Sequence, residues 1–345
     1  LPPSVSLRLS WPLWLGILSL LALTSFAASL ALGATRLPAA TVWAALIAFD
    51  PAEPGQAVVR GMRLPRSLAG LAIGPALAAA GLMMQRLTRN PLADPGLMGV
   101  NAGAALAVVA GLWLVGPMGA EARALAATLG AGAAAAAVWA LSGGRGGQVG
   151  TGALLRLPLV GSALTSLSLS AVWVIVLIDP RTREVYRIWT AGSLAAADTA
   201  TLFRLLPMIL AGLGLAALIA RRLEALAMGA EIAAGLGAHP ARTATVAVVA
   251  VTLLSAAAVA LAGPLGFVGL VVPHAARRLA GAGRPGRVLV AALLLGAVAT
   301  LACDTAGRLL AEPSEMALGL MLALLGGPAY LLLLARLTAP RGRPA

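Results

Sequence analysis

Residues 63–104 read RLPRSLAGLAIGPALAAAGLMMQRLTRNPLADPGLMGVNAGA. Arg63 and Arg66 flank Pro65, and an almost wholly apolar run follows from Ser67 to Gln85. At 1.5 Å per residue that run makes about 29 Å of helix, the thickness of a bilayer core. A basic, proline-broken turn over 86–95 comes next, and a second apolar run starts at Gly96. The pattern is a membrane hairpin with arginines at both ends.

The rest of the chain repeats that pattern. Of 345 residues, 60% are hydrophobic and 11% charged, and the mean hydropathy is +0.94. A soluble domain of this length would carry far more charge, so an all-α, polytopic membrane protein is expected. All 25 basic residues are arginine. They are scattered between apolar runs rather than clustered, which argues against nucleic acid as a partner and for a lipid bilayer. The single cysteine, Cys303, excludes an intramolecular disulfide framework, and no multi-cysteine metal site is expected. The 40 glycines suit close helix packing in lipid.

Ten spans are expected, near 11–33, 66–85, 97–116, 123–141, 158–178, 202–220, 242–262, 264–280, 288–308 and 316–336. The first is too long for a signal-peptide core. Residues 39–49 are apolar but too short to span; they suit an interface, with Trp43 among the headgroups. No soluble domain fits between spans, so residues 1–345 read as one transmembrane domain. If the N-terminus is cytoplasmic, fifteen of the 25 arginines fall on the cytoplasmic side, with only Asp94, Glu224 and Glu231 among the acids. The positive-inside rule therefore favours both termini in the cytoplasm.

Two features stand against this background. Arg60, Arg63 and Arg66 gather before the second span, on the opposite side. A cation at a helix N-terminus opposes the macrodipole, so Arg63 and Arg66 need compensation. Residues 221–242, RRLEALAMGAEIAAGLGAHPAR, read as a cytoplasmic loop. It carries a short amphipathic segment with Leu223, Leu226 and Ala227 on one face and Glu224 and Glu231 exposed. Such a segment is a surface connector or a docking element.

Other chemistry is thin. There is no Walker A motif and no lysine for phosphate, so P-loop ATP hydrolysis by this chain is excluded. His239 and His274 lie in separate loops and make a weak metal pair. Asp304 is the acid nearest the membrane interior, and Arg308 lies one helical turn on, placed to pair with it. A secondary transporter would need acids or broken half-helices at the midplane, and no acid is clearly there. Neither a Ser–His pair at depth nor two acids support an intramembrane protease.

The RLPR of 63–66, the NPLADPGL of 90–97 and the Gly99/Gly103 pair resemble the signature of FecCD-type permeases, the membrane subunits of type II ABC importers for ferric siderophores, haem and vitamin B12. GPLGFVGLVVPHAAR (263–277), ACDTAGR (302–308), MGAEIAAGLG (228–237), WTAGSL (189–194) and Glu315–Pro328 resemble further family motifs in the right order. Departures are Pro75, Ala230, Ala317, Leu322 and the GRPGR of 283–287.

The resemblance implies a ten-helix permease fold in the bacterial inner membrane. It implies a homodimer, two ATP-binding subunits and a periplasmic substrate-binding protein. It also implies no permanently bound cofactor, no resident metal and no catalytic residue. Arg63, Arg66 and Arg308 are the implied docking arginines for the binding protein. Leu223, Leu226, Met228, Gly229, Glu231, Leu236 and Gly237 are the implied coupling surface for the ATPase. Asn90, Pro91, Asp94, Pro95, Pro273, His274, Arg277 and Asp304 are implied structural motif positions. The fifth and tenth spans are implied to line the pathway. Trp189–Leu194 and the residues around Pro313–Glu315 look most like haem permeases, so haem is the expected substrate, with a ferric siderophore or cobalamin as alternatives.

Overall fold

A computed structural model of the chain describes residues 10–33, 35–144, 151–281, 283–311 and 314–338. Arg8, Arg145, Pro313, Arg341 and Arg343 lie outside them, as does the side chain of Arg336. Among the described residues the secondary structure is helical, with no strand.

The ten expected spans correspond to α1 (Trp11–Ala31), α4 (Leu64–Leu87), α5 (Val100–Val115), α6 (Ala120–Leu141), α7 (Thr151–Ile178), α9 (Thr199–Met228), α11 (Pro240–Ala262), α12 (Val268–Ala280), α13 (Pro285–Leu310) and α14 (Leu318–Thr338). Four further helices are shorter: α2 (Ala39–Ile47), α3 (Pro54–Val58), α8 (Pro180–Thr190) and α10 (Ala230–Gly235). Seven helical stretches among the described residues are long and apolar enough to cross a membrane. Val100–Val115 and Leu318–Leu332 are shorter apolar helices.

The centre of the bundle is α4, which packs on α13, α11, α9 and α12. Its glycines let it. A Cβ on Gly74 would fall 2.3 Å from the Gly296 carbonyl oxygen of α13. One on Gly81 would fall 1.9 Å from the Gly269 carbonyl oxygen of α12. In lipid, where apolar surface gains little by leaving its solvent, such backbone approach supplies the dispersion contact that holds helices together. α4 is also longer than expected. It continues α3 through a π-helical turn, Val59–Arg63, so residues 54–87 form one rod. Pro65 has no N–H to give to the preceding turn, and the π-turn just before it is where the ladder readjusts.

Two segments fold into the bundle rather than across it. The expected span 264–280 is helical only from Val268, and 13 residues reach about 20 Å. Pro264 and the positive φ of Gly263 and Phe267 (75° and 68°) keep the helix from starting earlier. Residues 95–98 form a 3-10 turn that folds back from the end of α4. A Cβ on Gly269 would stand 3.3 Å from Asp94 Oδ2 and 3.0 Å from the Leu77 carbonyl oxygen. Leu77 lies ten residues, about 15 Å, from the end of α4. Both segments therefore sit at depth, where non-helical backbone survives because protein and not lipid surrounds it. This corrects the expectation that no acid lies near the middle: Asp94 lies there, beside the start of α12, which is a half-helix.

α2 is a short helix, not a span, and its large apolar side chains are outward. Trp43, Ile47 and nearby Phe49 and Met62 are exposed large apolar side chains. Arg60 closes its end by donating to the Ala45 and Leu46 carbonyls at 2.7 and 3.1 Å, while its guanidinium lies 5.2 Å from the Phe49 ring centre.

Candidate functional sites of the permease

The face formed by the end of α1, the start of α4 and the end of α13 holds a buried arginine network. α1 ends with orphan carbonyls, as every helix does. Arg63 donates to Leu30 O and Ala31 O at 3.0 and 2.7 Å and also to Thr35 O. Arg308 donates to Ser29 O and Leu32 O at 3.1 and 3.0 Å, and to Ser29 Oγ at 2.9 Å. Two cations thus sit on the negative end of the α1 dipole, the favourable arrangement. Gly33 leaves the room: a Cβ there would come within 3.0 Å of the Arg63 guanidinium.

Arg66 takes the carboxylates. It is bidentate to Asp304, with Nε to Oδ2 at 2.9 Å and Nη2 to Oδ1 at 2.9 Å, and its third edge donates to Glu315. Asp304 also lies 3.3 Å from Arg308 Nε, the expected i, i+4 pair. Arg63, Arg66 and Arg308 are 6, 7 and 2% exposed and Asp304 1%. The compensation that Arg63 and Arg66 require is therefore internal. The three implied docking arginines are thus buried and already partnered within the chain. Ser29 and Glu315 complete the network. Ser29 lies in no motif, and Glu315, which opens the motif of 315–328, shows no partner by spacing, because both roles depend on α1 and the α13–α14 turn reaching the same corner.

A second network orders the two folded-in segments. Pro273 has no N–H for the Gly269 carbonyl one turn earlier. Gln85 Nε2 donates to that oxygen and to Leu270 O, both at 3.2 Å. Arg277 then donates to Gln85 Oε1 at 2.6 Å, and His274 Nδ1 donates to Leu270 O at 2.9 Å. Pro273, His274 and Arg277 thus form one unit with Gln85, which sequence reasoning passed over as a residue of the apolar run. Asn90 Oδ1 accepts from Leu92 N at 2.9 Å, and Asp94 Oδ1 accepts from Gly96 N at 2.8 Å. Pro91 is exposed at the tip of that turn and Pro95 is buried.

The third region is the end of α9. Residues 221–228 are not loop: α9 runs unbroken to Met228, and only 229–239 connect it to α11. Leu223 and Leu226 face inward, at 3 and 1% exposure, and Glu224 pairs with Arg86 at 3.1 Å. Arg89 donates to the Leu226 carbonyl at 3.2 Å. The implied coupling set therefore divides. Leu223 and Leu226 are core residues, whereas Met228, Glu231, Leu236 and Gly237 are exposed, with Ile232 beside them. Gly229 (φ 144°) turns the chain into α10, and buried Ala233 pins that helix to the body.

Among the described residues no three His, Cys, Asp or Glu side chains gather as a metal-binding group. The arrangement is that of a helical membrane permease, with broken elements at depth, a rigid corner on one face and an apolar knob on the other. The chain belongs to the FecCD transport family, whose model matches residues 20–336. It is 40% identical over 324 residues to the ferric enterobactin transport system permease protein FepD of Escherichia coli (strain K12), covering 93% of this chain and 94% of that protein. It is 39% identical to the hemin transport system permease protein HmuU of Yersinia pestis, over 80% of this chain and 82% of that one. A solved structure described as an inward-facing conformation of a metal-chelate type ABC transporter superposes with a TM-score of 0.81 at 27% identity, covering 95% of this chain and 100% of the other.

Proposed function

We propose that this chain is the permease subunit of a type II ABC importer that moves an iron chelate across the bacterial inner membrane. The observation that carries this reading is the family match over 20–336 joined to a chain that has no nucleotide-binding motif. Two copies would form the pathway, two ATP-binding subunits would drive it, and a periplasmic binding protein would deliver substrate. With the arginine-rich side cytoplasmic, both termini are cytoplasmic and α10 faces the ATPase, which it couples through Met228, Glu231, Ile232, Leu236 and the turns at Gly229 and Gly237.

Two substrate readings have specific support. Haem is favoured by the WTAGSL form of 189–194 and by 39% identity to a hemin permease. A ferric siderophore is favoured by 40% identity to a ferric enterobactin permease over a longer alignment. The test is growth of an iron-starved host carrying the whole system, fed haem or a ferric catecholate. Growth on haem alone is expected from the first reading and refutes the second; growth on the catecholate alone does the reverse.

The arginine corner supports docking of the binding protein in a modified form. Arg63, Arg66 and Arg308 form its frame, and an incoming carboxylate reaches Arg66 by displacing Glu315, whose side chain is 38% exposed. Glu315→Gln removes that competitor. It is expected to tighten binding-protein affinity by about fivefold at low salt, the upper range for an exposed ion pair. Unchanged affinity in a correctly folded variant would place docking elsewhere.

A further inference from the structure

The basic end of α9 and the α12–α13 turn enclose a groove of about 640 Å³ between Ala217–Arg222 and Gly283–Arg287. Four arginines line it: Arg221, Arg222, Arg284 and Arg287. No acidic side chain lines it, and none of the four has an ion-pair partner among the described residues. The nearest acid along α9, Glu224, is held by Arg86. Four guanidiniums without ion-pair partners in one groove repel one another, so the groove favours an anion bound among them.

The groove also has a lipid-facing floor. Ala217 and Leu218 are exposed one turn before the arginines, Leu218 at 69%, on a helix apolar enough to span the membrane. Arg287 lies 5.5 Å from the ring centre of Trp11, an aromatic at the start of the first span and at the headgroup level where such rings collect. The first turn of α13 adds free backbone N–H groups, because Pro285 starts the helix and the first intrahelical donor is Val288. Acyl chains against Leu218 and phosphates among the arginines satisfy both halves of the groove.

We propose that this groove holds the headgroup of an anionic phospholipid carrying two phosphates, the cardiolipin chemistry, which bridges α9 to the α12–α13 turn. Two guanidiniums from α9 and two from the turn match one pair to each phosphate, and guanidinium recognises phosphate bidentately. A basic pocket between membrane helices is the general form of such a site. Because α9 carries Met228 and α10 beyond it, the lipid would fasten the helix bearing that exposed knob to its neighbour.

The experiment is native mass spectrometry of the intact purified transporter, delipidated and titrated separately with cardiolipin, phosphatidylglycerol and phosphatidylethanolamine. Wild type is expected to retain cardiolipin in preference to both others. R221Q, R222Q and R284Q should each weaken retention about fivefold, and R221Q/R284Q about twenty-five-fold, from about 1 kcal/mol per basic residue at a lipid surface. R123Q, on the opposite face, should leave it unchanged. These arginines are surface groups, so a size-exclusion profile matching wild type accompanies each measurement, and the single variants stand if the double one misfolds. Equal cardiolipin retention by wild type and the folded variants overturns the proposal. So does equal retention of all three lipids by wild type. Loss of the ATP-binding subunit with lipid retention unchanged also overturns it, and makes the groove a protein-docking surface.

Discussion

Asp304→Ala is expected to lower the stability of the permease by about 3–5 kcal/mol, the cost of leaving a buried charge without its partner. Arg66 would lose both bonds of its bidentate pair, and Arg308 would lose its i, i+4 carboxylate. Desolvation of the two guanidiniums would remain, with Glu315 at the margin as the one acid in the network. The measurement is the thermal midpoint in detergent, followed by size-exclusion of a fluorescent fusion. Asp304→Asn keeps the shape and removes the charge, so it should show most of the loss. Replacing the pair together, Arg66→Leu with Asp304→Leu, should cost less than Asp304→Ala alone. The charges then leave together, and Arg308 keeps its bonds to Ser29 and Leu32. A midpoint for Asp304→Ala equal to wild type would show that the corner is not an internally compensated network.

The next largest effect concerns the ATPase. Ile232→Asp with Leu236→Asp is expected to weaken association of the ATP-binding subunit by about thirtyfold or more, as loss of a central apolar contact at an interface does. Both residues are more than half exposed, so the permease itself should fold. Leu226→Asp is expected to behave differently. Its side chain is 1% exposed within the core, and a carboxylate there has no partner, so the protein should fail to fold rather than uncouple. Co-purification of the ATP-binding subunit, scored beside the amount of monodisperse permease, separates the two outcomes. If Leu226→Asp gives normal permease without ATPase, Leu226 belongs to the docking surface. If the exposed pair leaves co-purification intact, α10 is a connector.

That division of one short segment shows what sequence can and cannot resolve. Hydrophobic runs of about twenty residues and their flanking arginines located nine of the ten expected crossings, because crossing a bilayer imposes length and polarity locally. The tenth, 264–280, reads as a full crossing, but its first four residues are chain without helix and the remaining 13 make a helix of only about 20 Å; hydropathy does not distinguish apolar helix from apolar chain. Helical spacing alone placed Arg308 beside Asp304. The macrodipole argument for compensating Arg63 and Arg66 does not hold, because the helix begins at Pro54 and neither arginine lies in its first turn; they need partners because they are buried.

Partners distant in the chain were decided by the tertiary structure alone. Ser29, Arg66, Asp304 and Glu315 share a corner, although the Arg66–Asp304 bond joins residues 238 positions apart. Gln85 reads as the end of an apolar run until α12 brings it a carbonyl freed by Pro273. Leu223 and Leu226 have the same local periodicity whether α9 ends at Arg221 or continues to Met228, and only the bundle that receives them buries them. The sequence by itself determined where the chain meets lipid, because that is a local energy of transfer. Which polar groups satisfy one another inside was decided by tertiary structure, because a buried hydrogen bond depends on where two distant backbones come together.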